Sequence, residues 1–549
     1  MPSKPAGAVS LSDSGNLHNN SAKKFRSFFY SLAQLIKNLY FCAIINNYKN
    51  MNKLFITALL AAVAAIGYNA SALTGDVNGD GTVTAADVTA LYDYLLNNDS
   101  SHLVNGDQNG DGIITAADVT TVYDALLNSA DPDPGLPDFT VNVVYDGNSA
   151  TVTVAKNIED QMTVAVNGAH VNIVANPSLQ DSVIYNLSGT TGNGSFYMDG
   201  DYKCYVNLTD LSIHNPDSAA INIDNGKRID ITLNGNNTLT DATAAEQRAC
   251  CFINGHAVIA GTGTLTLTGN SKHAYFSDEY TRITSGNIVV TNSVSDGLHI
   301  NQYFQMDGGT VTISTTGGDG IDVGCTKDVT DSKNGEFIIN DGTLSITTTG
   351  NAVKGIKCES IMTIAGGSIT ASTSGNAVYD PDKTDLSSCA AIKCDSTFNM
   401  SDGTIYLTST GLGGKGLNSD GSVNISGGTF TAVTTGDVYE YSSLLDTKAG
   451  GVKADGAITI TGGVVRVAAS KYDARAFNGE CGFFTNGGYI LGIGGRSSTV
   501  SQGYTQRYKY LRNQVITAGS TYSCEGITFA IPAIYNNAAA LVVVSTPNL

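Results

Sequence analysis

The sequence lacks three features, and each absence argues against a class of protein. No Cys-x-x-Cys pair has matching cysteine or histidine partners, which makes a zinc-ordered domain improbable. Basic residues are scarce, with 30 Lys and Arg against 49 Asp and Glu, so the surface lacks the basic patches that nucleic acid requires. Beyond one short run near the start, no stretch is apolar enough to span a membrane. The sequence therefore predicts neither a nucleic-acid partner nor a membrane-spanning domain.

The short apolar run is typical of a secretion signal. Residues 1–50 show no readable period, and a second start-like segment opens at Met51, with a basic position at Lys53, an apolar run at 54–66 and small residues at 70–72. A transmembrane anchor is the alternative, but the run is shorter than the roughly 20 apolar residues a span needs. We predict that residues 1–50 belong to a wrongly assigned upstream start and that 51–72 are a signal peptide cleaved after Ala72. The protein is then secreted, extracellular or at the cell surface.

Cleavage would make the chain still more acidic. The full chain has a net charge of −19, and removing seven basic residues and one acidic residue leaves −25. Such a charge suits an exported protein that binds calcium. Nine cysteines remain, and an odd count means at least one free or intermolecular thiol.

A 12-residue segment occurs twice, at Asp76–Asp87 and Asp107–Asp118. Both copies carry oxygen-bearing side chains at positions 1, 3, 5, 9 and 12 and glycine at position 6. This is the layout of a calcium loop, in which alternate positions converge on one hard cation and the glycine permits a sharp turn. The predicted Ca²⁺ ligands are Asp76, Asn78, Asp80, Thr82, Thr84 and Asp87 in the first loop, and Asp107, Asn109, Asp111, Ile113, Thr115 and Asp118 in the second.

A helix-like apolar period follows each loop, with Val88, Leu91 and Leu95 on one face of the first. Two calcium loops, each followed by a helix, resemble a type I dockerin over residues 74–129. That resemblance implies bound Ca²⁺ and a cohesin-bearing scaffold protein as the partner. It places the cohesin contacts at Ala85, Ala86, Tyr92, Ala116, Ala117 and Tyr123. Many dockerins carry a basic pair in the helix, whereas residues 73–131 hold ten acidic residues and no Lys or Arg, and a calcium-dependent spacer is the alternative.

A Pro- and Asp-rich stretch at 130–138 predicts a semi-rigid linker, and a second domain is expected over 139–549. From about residue 250 onward, Gly-Gly or Asp-Gly turns recur beside strands rich in Thr, Val and Ile. Their basal spacing is 23 to 25 residues, and three turns are longer by about ten, around 328–334, 379–388 and 439–448. The second glycine of each turn falls at Gly263, Gly286, Gly309, Gly342, Gly367, Gly403, Gly428 and Gly463.

This repeat predicts the fold class. Thr, Gly and Val are poor helix formers, so helical repeats are excluded. The predicted fold is mostly β, namely a right-handed parallel β-helix (β-solenoid) with C-terminal capping strands, preceded by a small α-helical, EF-hand-like dockerin domain.

Strand alternation assigns an outer face to the repeat. A column of apolar residues, including Ile321, Ile356 and Ile392, is expected to point inward, so the residue after each points outward. An anionic chain lying along the outward residues would offset the repulsion between stacked lysines, and a solvated polar face is the alternative. The predicted ligand-binding residues are His299, Lys354, Lys357, Lys393, Lys415 and Lys453.

Two further features lie in the same repeat. Asp296, Asp319 and Asp322 are predicted to converge from neighbouring turns and to hold calcium that bridges a uronate carboxylate, with ordinary turn residues as the alternative. Cys358 and Cys394 are expected to stack on neighbouring strands. We favour a buried thiol pair over a disulfide there.

From Val183 onward the chain resembles a family of exported carbohydrate-binding β-helix proteins that are similar in fold to pectate lyases. The likeness rests on segments 218–222, 231–239, 295–299, 318–322, 355–357 and 451–455. It implies binding of plant cell-wall polysaccharide, either polygalacturonate (pectin) or cellulose. The last strands also match, but the chain stops where such proteins often add another strand, which raises the prospect of a truncated end.

The choice between enzyme and binder depends on the lysines. A β-eliminating lyase needs calcium and one basic side chain, and either Lys354 or Lys357 is a candidate base. A row of equivalent lysines suits a repetitive ligand better than one catalytic centre. We therefore predict a polysaccharide binder without a catalytic residue, attached through its dockerin to a cohesin scaffold. A calcium-dependent pectate lyase and a surface adhesin or structural solenoid are the alternatives.

Overall fold

The computed structural model describes residues 75–129, 136–243, 247–314, 316–326 and 330–549. The chain divides into two compact units, one ending at residue 132 and the other beginning at 133. The predicted upstream start, the signal peptide and most of the predicted linker lie outside the described residues. No helix in the described ranges is long and apolar enough to cross a membrane.

The described part of the N-terminal unit contains two α-helices, α1 (Ala85–Asn97) and α2 (Ala116–Ser129). Thr84 caps α1, and a reciprocal contact with Asp87 completes a capping box. Asp87, the last residue of the loop, therefore also lies in the first turn of the helix. The left-handed Asn98 (φ 55°) ends α1. A small core joins the two helices and comprises Val77, Val88, Ala90, Leu91, Val119 and Val122.

The C-terminal unit is built of strands and one 3₁₀ turn, Glu159–Gln161. Its first third contains β1 Thr140–Asp146, β2 Ser149–Val154, β3 Met162–Asn167, β4 Ala169–Ala175, β5 Val183–Thr191, β6 Gly194–Asp199, β7 Cys204–His214, β8 Ile221–Asn234, β9 Asn236–Thr240, β10 Ala249–Gly261, β11 Thr264–Gly269, β12 His273–Ser277, β13 Thr281–Ile283 and β14 Asn287–Ser293.

The middle contains β15 Leu298–Asn301, β16 Tyr303–Ser314, β17 Ile321–Gly324, β18 Glu336–Thr348, β19 Lys354–Cys358, β20 Met362–Ile364, β21 Ser368–Thr373, β22 Val378–Asp380, β23 Asp385–Ser387, β24 Ala390–Cys394, β25 Phe398–Met400, β26 Thr404–Ser409, β27 Lys415–Ser419, β28 Val423–Ile425 and β29 Thr429–Thr434. The last part contains β30 Tyr439–Ser442, β31 Leu445–Thr447, β32 Gly450–Ala454, β33 Ile458–Ala468, β34 Phe477–Gly479, β35 Phe483–Gly494, β36 Lys509–Ile516, β37 Thr521–Cys524, β38 Ile527–Ala530 and β39 Asn537–Ser545.

Parallel pairing in register dominates the middle of this unit. Strands β12, β15, β17, β19, β24, β27, β32 and β34 form one continuous parallel row. Their inward residues stack on one another and are almost completely buried, namely Leu298, Ile321, Ile356, Ile392, Leu417, Val452 and Phe477. One hydrophobic core extends from Val141 to Val543.

The prediction of a right-handed parallel β-helix is wrong. Of the strands named above, 33 form one mixed sheet within the described part of the chain, and this sheet closes on itself. Antiparallel pairs join β1 to β2 and β3 to β4 at one end, and β39 to β35 and β36 at the other. The spacing of the turns determines which residues of successive strands pair. It does not determine the handedness of the coil or the direction of the strands at either end of the sheet. The mostly β composition and the two N-terminal helices agree with the prediction.

The turn glycines explain why the period is readable. Seven of the eight predicted turn glycines, all except Gly263, have positive φ angles, from 70° at Gly367 to 105° at Gly342. Side chains other than glycine rarely adopt this conformation, so the turn type fixes the residue. Two of the predicted long turns contain antiparallel hairpins, β22–β23 and β30–β31. Part of the third, at 327–329, lies outside the described residues.

Candidate functional site

The first duplicated loop folds around its own carboxylates. Asp76 accepts from the backbone N–H groups of Gly79 and Gly81, at 2.8 and 3.0 Å. Asp87 is completely buried and accepts from the N–H groups of Val77 and Thr84, both at 2.8 Å. The backbone thereby orients the first and last predicted ligands of the loop.

The second loop repeats this arrangement. Asp107 accepts from Gly110 and Gly112, both at 2.8 Å, and the buried Asp118 accepts from Gln108 at 2.8 Å and Thr115 at 2.7 Å. Burial raises the pKa of Asp118, but the backbone hydrogen bonds outweigh it and leave the pKa below its usual value. A buried carboxylate in a segment without Lys or Arg fits a bound cation, and the all-oxygen donor set fits Ca²⁺.

The predicted cohesin contacts occupy matching surface positions of α1 and α2. Tyr92 and Tyr123 are 42% and 46% exposed, unusually high values for tyrosines of a packed helix. The predicted alanine contacts at the start of each helix are also exposed, and they are Ala85, Ala86, Ala116 and Ala117. The duplicated sequence thus presents the same residues twice.

In the second unit, pairing aligns the predicted outward residues in one column. In strand order these are His299, Asp322, Lys357, Lys393, Asn418 and Lys453, which we call the outer column. Phe252 and Phe276 continue it on one side and Asn478 on the other. The structure brings these residues together in the predicted order, and their role in binding stays a prediction.

The lysines of the outer column are paired with carboxylates that the sequence analysis missed. The Nζ of Lys393 lies 2.6 Å from both Asp395 and Asp420, and that of Lys453 lies 2.6 Å from Asp455. Each of these aspartates comes two residues after a column position and directly follows the last residue of its strand. Alternating charge relieves the repulsion that stacked lysines would otherwise produce.

Lys357 is paired at the acidic end of the column. Its Nζ lies 2.9 Å from Asp322. Burial lowers the pKa of Lys357, but the Asp322 carboxylate outweighs burial and leaves the pKa above its usual value. A lysine held protonated in this way cannot serve as a general base.

Lys354 and Lys415 differ from the column lysines because both are turned into the protein. The Nζ of Lys415 donates to Gly413 O, Thr447 Oγ1 and Lys448 O, at 2.7, 2.8 and 2.6 Å. Burial, with a smaller contribution from the charge of Lys453, lowers the pKa of Lys415 to about 7. The Nζ of Lys354 donates to Ala352 O and Ser387 Oγ. These contacts hold turns in place, and the predicted role of the two lysines in ligand binding stays a prediction.

The predicted acidic cluster is only partly assembled. Asp296 and Asp322 both approach the imidazole of His299, at 3.0 and 3.3 Å. Asp319 instead accepts from the backbone N–H of Lys354 at 2.6 Å, and burial raises its pKa to about 6. His273, which the sequence analysis missed, also lies 3.2 Å from Asp296. The predicted calcium role of the three aspartates stays a prediction, since imidazole and ammonium groups share their oxygens.

Cys358 and Cys394 are register partners and both are free thiols. Each Sγ approaches Ser360 O, at 3.5 and 3.1 Å. The favoured expectation of a buried thiol pair therefore agrees with the structure, and its role is structural.

A groove runs beside the outer column. Its volume is about 350 Å³, and its lining includes Lys354, Lys357, Lys383, Lys393, Asn418 and Lys453, together with Asp385, Asp395, Asp420 and Asp455. Residues 385–388 of the β22–β23 hairpin line one side. Tyr379 of this hairpin stacks on Tyr441 of the β30–β31 hairpin, with centroids 4.3 Å apart. We call this cavity the column groove.

Comparisons with known proteins identify two regions. A family model for the dockerin type I domain matches residues 74–127, and one described as carbohydrate-binding domain-containing protein matches residues 167–438. The chain therefore carries a dockerin type I domain and a carbohydrate-binding-domain-containing region. The predicted likeness to a pectate-lyase β-helix is not confirmed.

A solved structure described as the polysaccharide lyase-like protein from C. thermocellum, gadolinium derivative, is similar over 52% of this chain and 96% of that chain. The identity is 22% and the TM-score 0.37, a similarity too low to carry an argument about fold or function. No curated protein matches the chain.

Proposed function

We propose that this chain, which joins a dockerin type I domain to a carbohydrate-binding-domain-containing region, is a secreted binder of acidic plant cell-wall polysaccharide. Polygalacturonate lies in the column groove, and its carboxylates contact Lys357, Lys393 and Lys453. The observation that carries this proposal is the alignment of three lysines along one groove in a chain of net charge −19. The two dockerin loops bind Ca²⁺, and the module attaches the protein to a cohesin-bearing scaffold.

Several features support a ligand of repeating charge. Neighbouring strands lie about 4.8 Å apart, so the column presents three ammonium groups along one line, with Asn418 between the last two. Lys393 pairs with two aspartates and Lys453 with one, and of these Asp420 and Asp455 are 46% and 41% exposed. Ion pairs this exposed contribute little to stability, so a carboxylate of the ligand can take over one lysine at small cost.

Binding is tested by affinity electrophoresis in gels containing polygalacturonate. The double variant Lys357→Ala/Lys393→Ala should lose most of the retardation that the wild type shows. Lys471→Ala is the matched control, because Lys471 belongs to the same unit and lies outside the outer column, and it should migrate as the wild type does. Equal retardation of both variants would reject the column as the binding surface.

The lyase alternative makes a different prediction for the same protein. A β-eliminating enzyme would produce an unsaturated, ultraviolet-absorbing product from polygalacturonate in the presence of calcium. The raised pKa of Lys357 favours the binder. Accumulation of that product, abolished by chelator, would replace the proposal of a binder with that of a lyase.

A further inference from the structure

We propose that His273, Asp296 and His299 form a binding site for a divalent transition-metal ion of the Zn²⁺ type. The site uses no residue of the dockerin loops, and it includes His299 of the outer column. His273 opens β12, Asp296 precedes β15 and His299 lies within it, so three positions in adjacent turns supply the ligands. One ligand atom from each residue lies within 4.8 Å of the other two.

The distances suit a small ion. Asp296 Oδ2 lies 3.2 Å from His273 Nδ1 and 3.0 Å from His299 Nδ1. With metal–ligand bonds of about 2.0–2.2 Å, the ligand atoms around a tetrahedral Zn²⁺ are about 3.3–3.6 Å apart. A shift of a few tenths of an ångström would place the Asp296 oxygen at that spacing from both nitrogens. Imidazole is a common ligand of Zn²⁺, whereas Ca²⁺ takes oxygen ligands.

The surroundings of His273 Nδ1 point to a cation at this place. The residue is only 4% exposed. Its Nδ1 lies 3.3 Å from the backbone N–H of Asp296, which is a donor, and 3.2 Å from Asp296 Oδ2, which is an acceptor. A protonated Nδ1 would oppose the N–H group, and an unprotonated Nδ1 would turn its lone pair toward the carboxylate. A metal ion bound by both would remove the repulsion between the lone pair and the carboxylate, and Nδ1 would then no longer accept from the Asp296 N–H group.

Neighbouring groups orient the three ligands. Asp296 Oδ1 accepts from the backbone N–H of Asp319 at 2.8 Å, which leaves Oδ2 directed at the imidazoles. Phe276 stacks on His299 with centroids 4.8 Å apart and contacts His273 at 5.5 Å. Asp322 Oδ2 also lies 3.3 Å from His299 Nδ1, and its other oxygen pairs with Lys357. Such outer contacts fix ring orientation at metal sites.

The test measures Zn²⁺ binding to the untagged full-length protein in excess Ca²⁺, which keeps the dockerin loops occupied. Equilibrium dialysis should give one Zn²⁺ per chain for the wild type. His299→Ala should weaken binding by more than the roughly 100-fold that loss of an outer-shell partner causes. His256→Ala is the control, since His256 lies in the same unit and pairs with Glu279 away from the three ligands, and it should bind as the wild type does.

Two results would overturn the site. One is a wild type that binds no Zn²⁺ under these conditions. The other is equal loss, or equal retention, of binding in the His299 and His256 variants. His299→Gln keeps a polar side chain and replaces the alanine variant if that protein does not fold. Co²⁺ bound by the wild type should add an absorption band typical of tetrahedral nitrogen and oxygen ligation, and that band should be absent from His299→Gln.

Discussion

At the scale of single residues, Lys415 shows how burial and hydrogen bonding compete. The side chain is 5% exposed, yet all three donors of its ammonium group are used. Burial lowers the pKa to about 7, whereas an unfolded lysine titrates near pH 10.4. The unfolded state therefore binds more protons between these two values, and stability should rise with pH across that window.

This residue yields the first prediction. Between pH 7 and 10, the unfolding midpoint of the wild type in urea should rise relative to that of Lys415→Met. The methionine variant has no titrating group there, although it is less stable overall because three acceptors lose their donor. The measurement is a series of urea unfolding curves for both proteins over this range. Parallel pH profiles would show that Lys415 stays charged in the folded protein.

The positions of single residues were predictable where side chains alternate regularly along a strand. Alternation along a strand was enough to align His299, Asp322, Lys357 and the later column residues, because the register is fixed by the stacked apolar positions. The partners of the lysines were missed, although Asp395 and Asp455 each follow a lysine by two residues. His273 was also missed, although it precedes Asp296 by 23 residues, the basal spacing of the repeat.

At the scale of elements, each calcium loop shares its last residue with the helix that follows it. Asp87 and Asp118 belong to both, since each closes a loop and lies in the first turn of a helix. Without a cation, the clustered carboxylates of a loop repel one another. Folding of α1 and α2 is therefore expected to depend on Ca²⁺.

The second prediction follows from that coupling. Chelation of Ca²⁺ should speed amide hydrogen exchange in α1 and α2 and leave exchange in β19 and β24 unchanged. Asp87→Ala should reproduce the effect in α1 without chelator, whereas Asp93→Asn, outside the loop, should not. Hydrogen exchange followed by mass spectrometry resolves these segments. Identical exchange with and without chelator would contradict a structural role for calcium.

Close stacking of strands also depends on a glycine column formed by Gly350, Gly375, Gly411 and Gly436. An added Cβ at Gly411 would overlap the carbonyl oxygen of Gly375, and one at Gly436 would overlap that of Gly411. Backbone cannot move aside as a flexible side chain can. Only glycine fits at these four turn positions without a shift of the backbone.

The third prediction concerns this column. Gly411→Ala should destabilise the second unit by about 1–3 kcal/mol, the usual cost of overpacking. Gly192→Ala is the matched control, because a Cβ there would meet nothing within 4 Å. Thermal and urea unfolding of both variants provide the comparison. A Gly411→Ala protein as stable as the control would mean that the turn relaxes.

At the scale of the whole molecule, the dockerin domain and the large sheet were predictable to different degrees. The duplicated loops identified the dockerin type I domain because calcium ligation restricts nearly every position. The mixed, closed sheet was not predicted, since β1–β4 and β35–β39 lack the repeat that made the middle readable. The proposed function accordingly rests on the middle, where an acidic chain places its lysines in one groove.

The most direct measurement is calorimetric titration of the full-length protein with oligogalacturonate and with a neutral galactan of the same length. A ligand spanning Lys357 to Lys453 covers three strand steps, about 14 Å. The proposal predicts that only the carboxylated chain binds and that its affinity falls steeply as salt rises, because surface charge contacts are screened. Equal affinity for the neutral and the charged chain, or an affinity independent of salt, would contradict it.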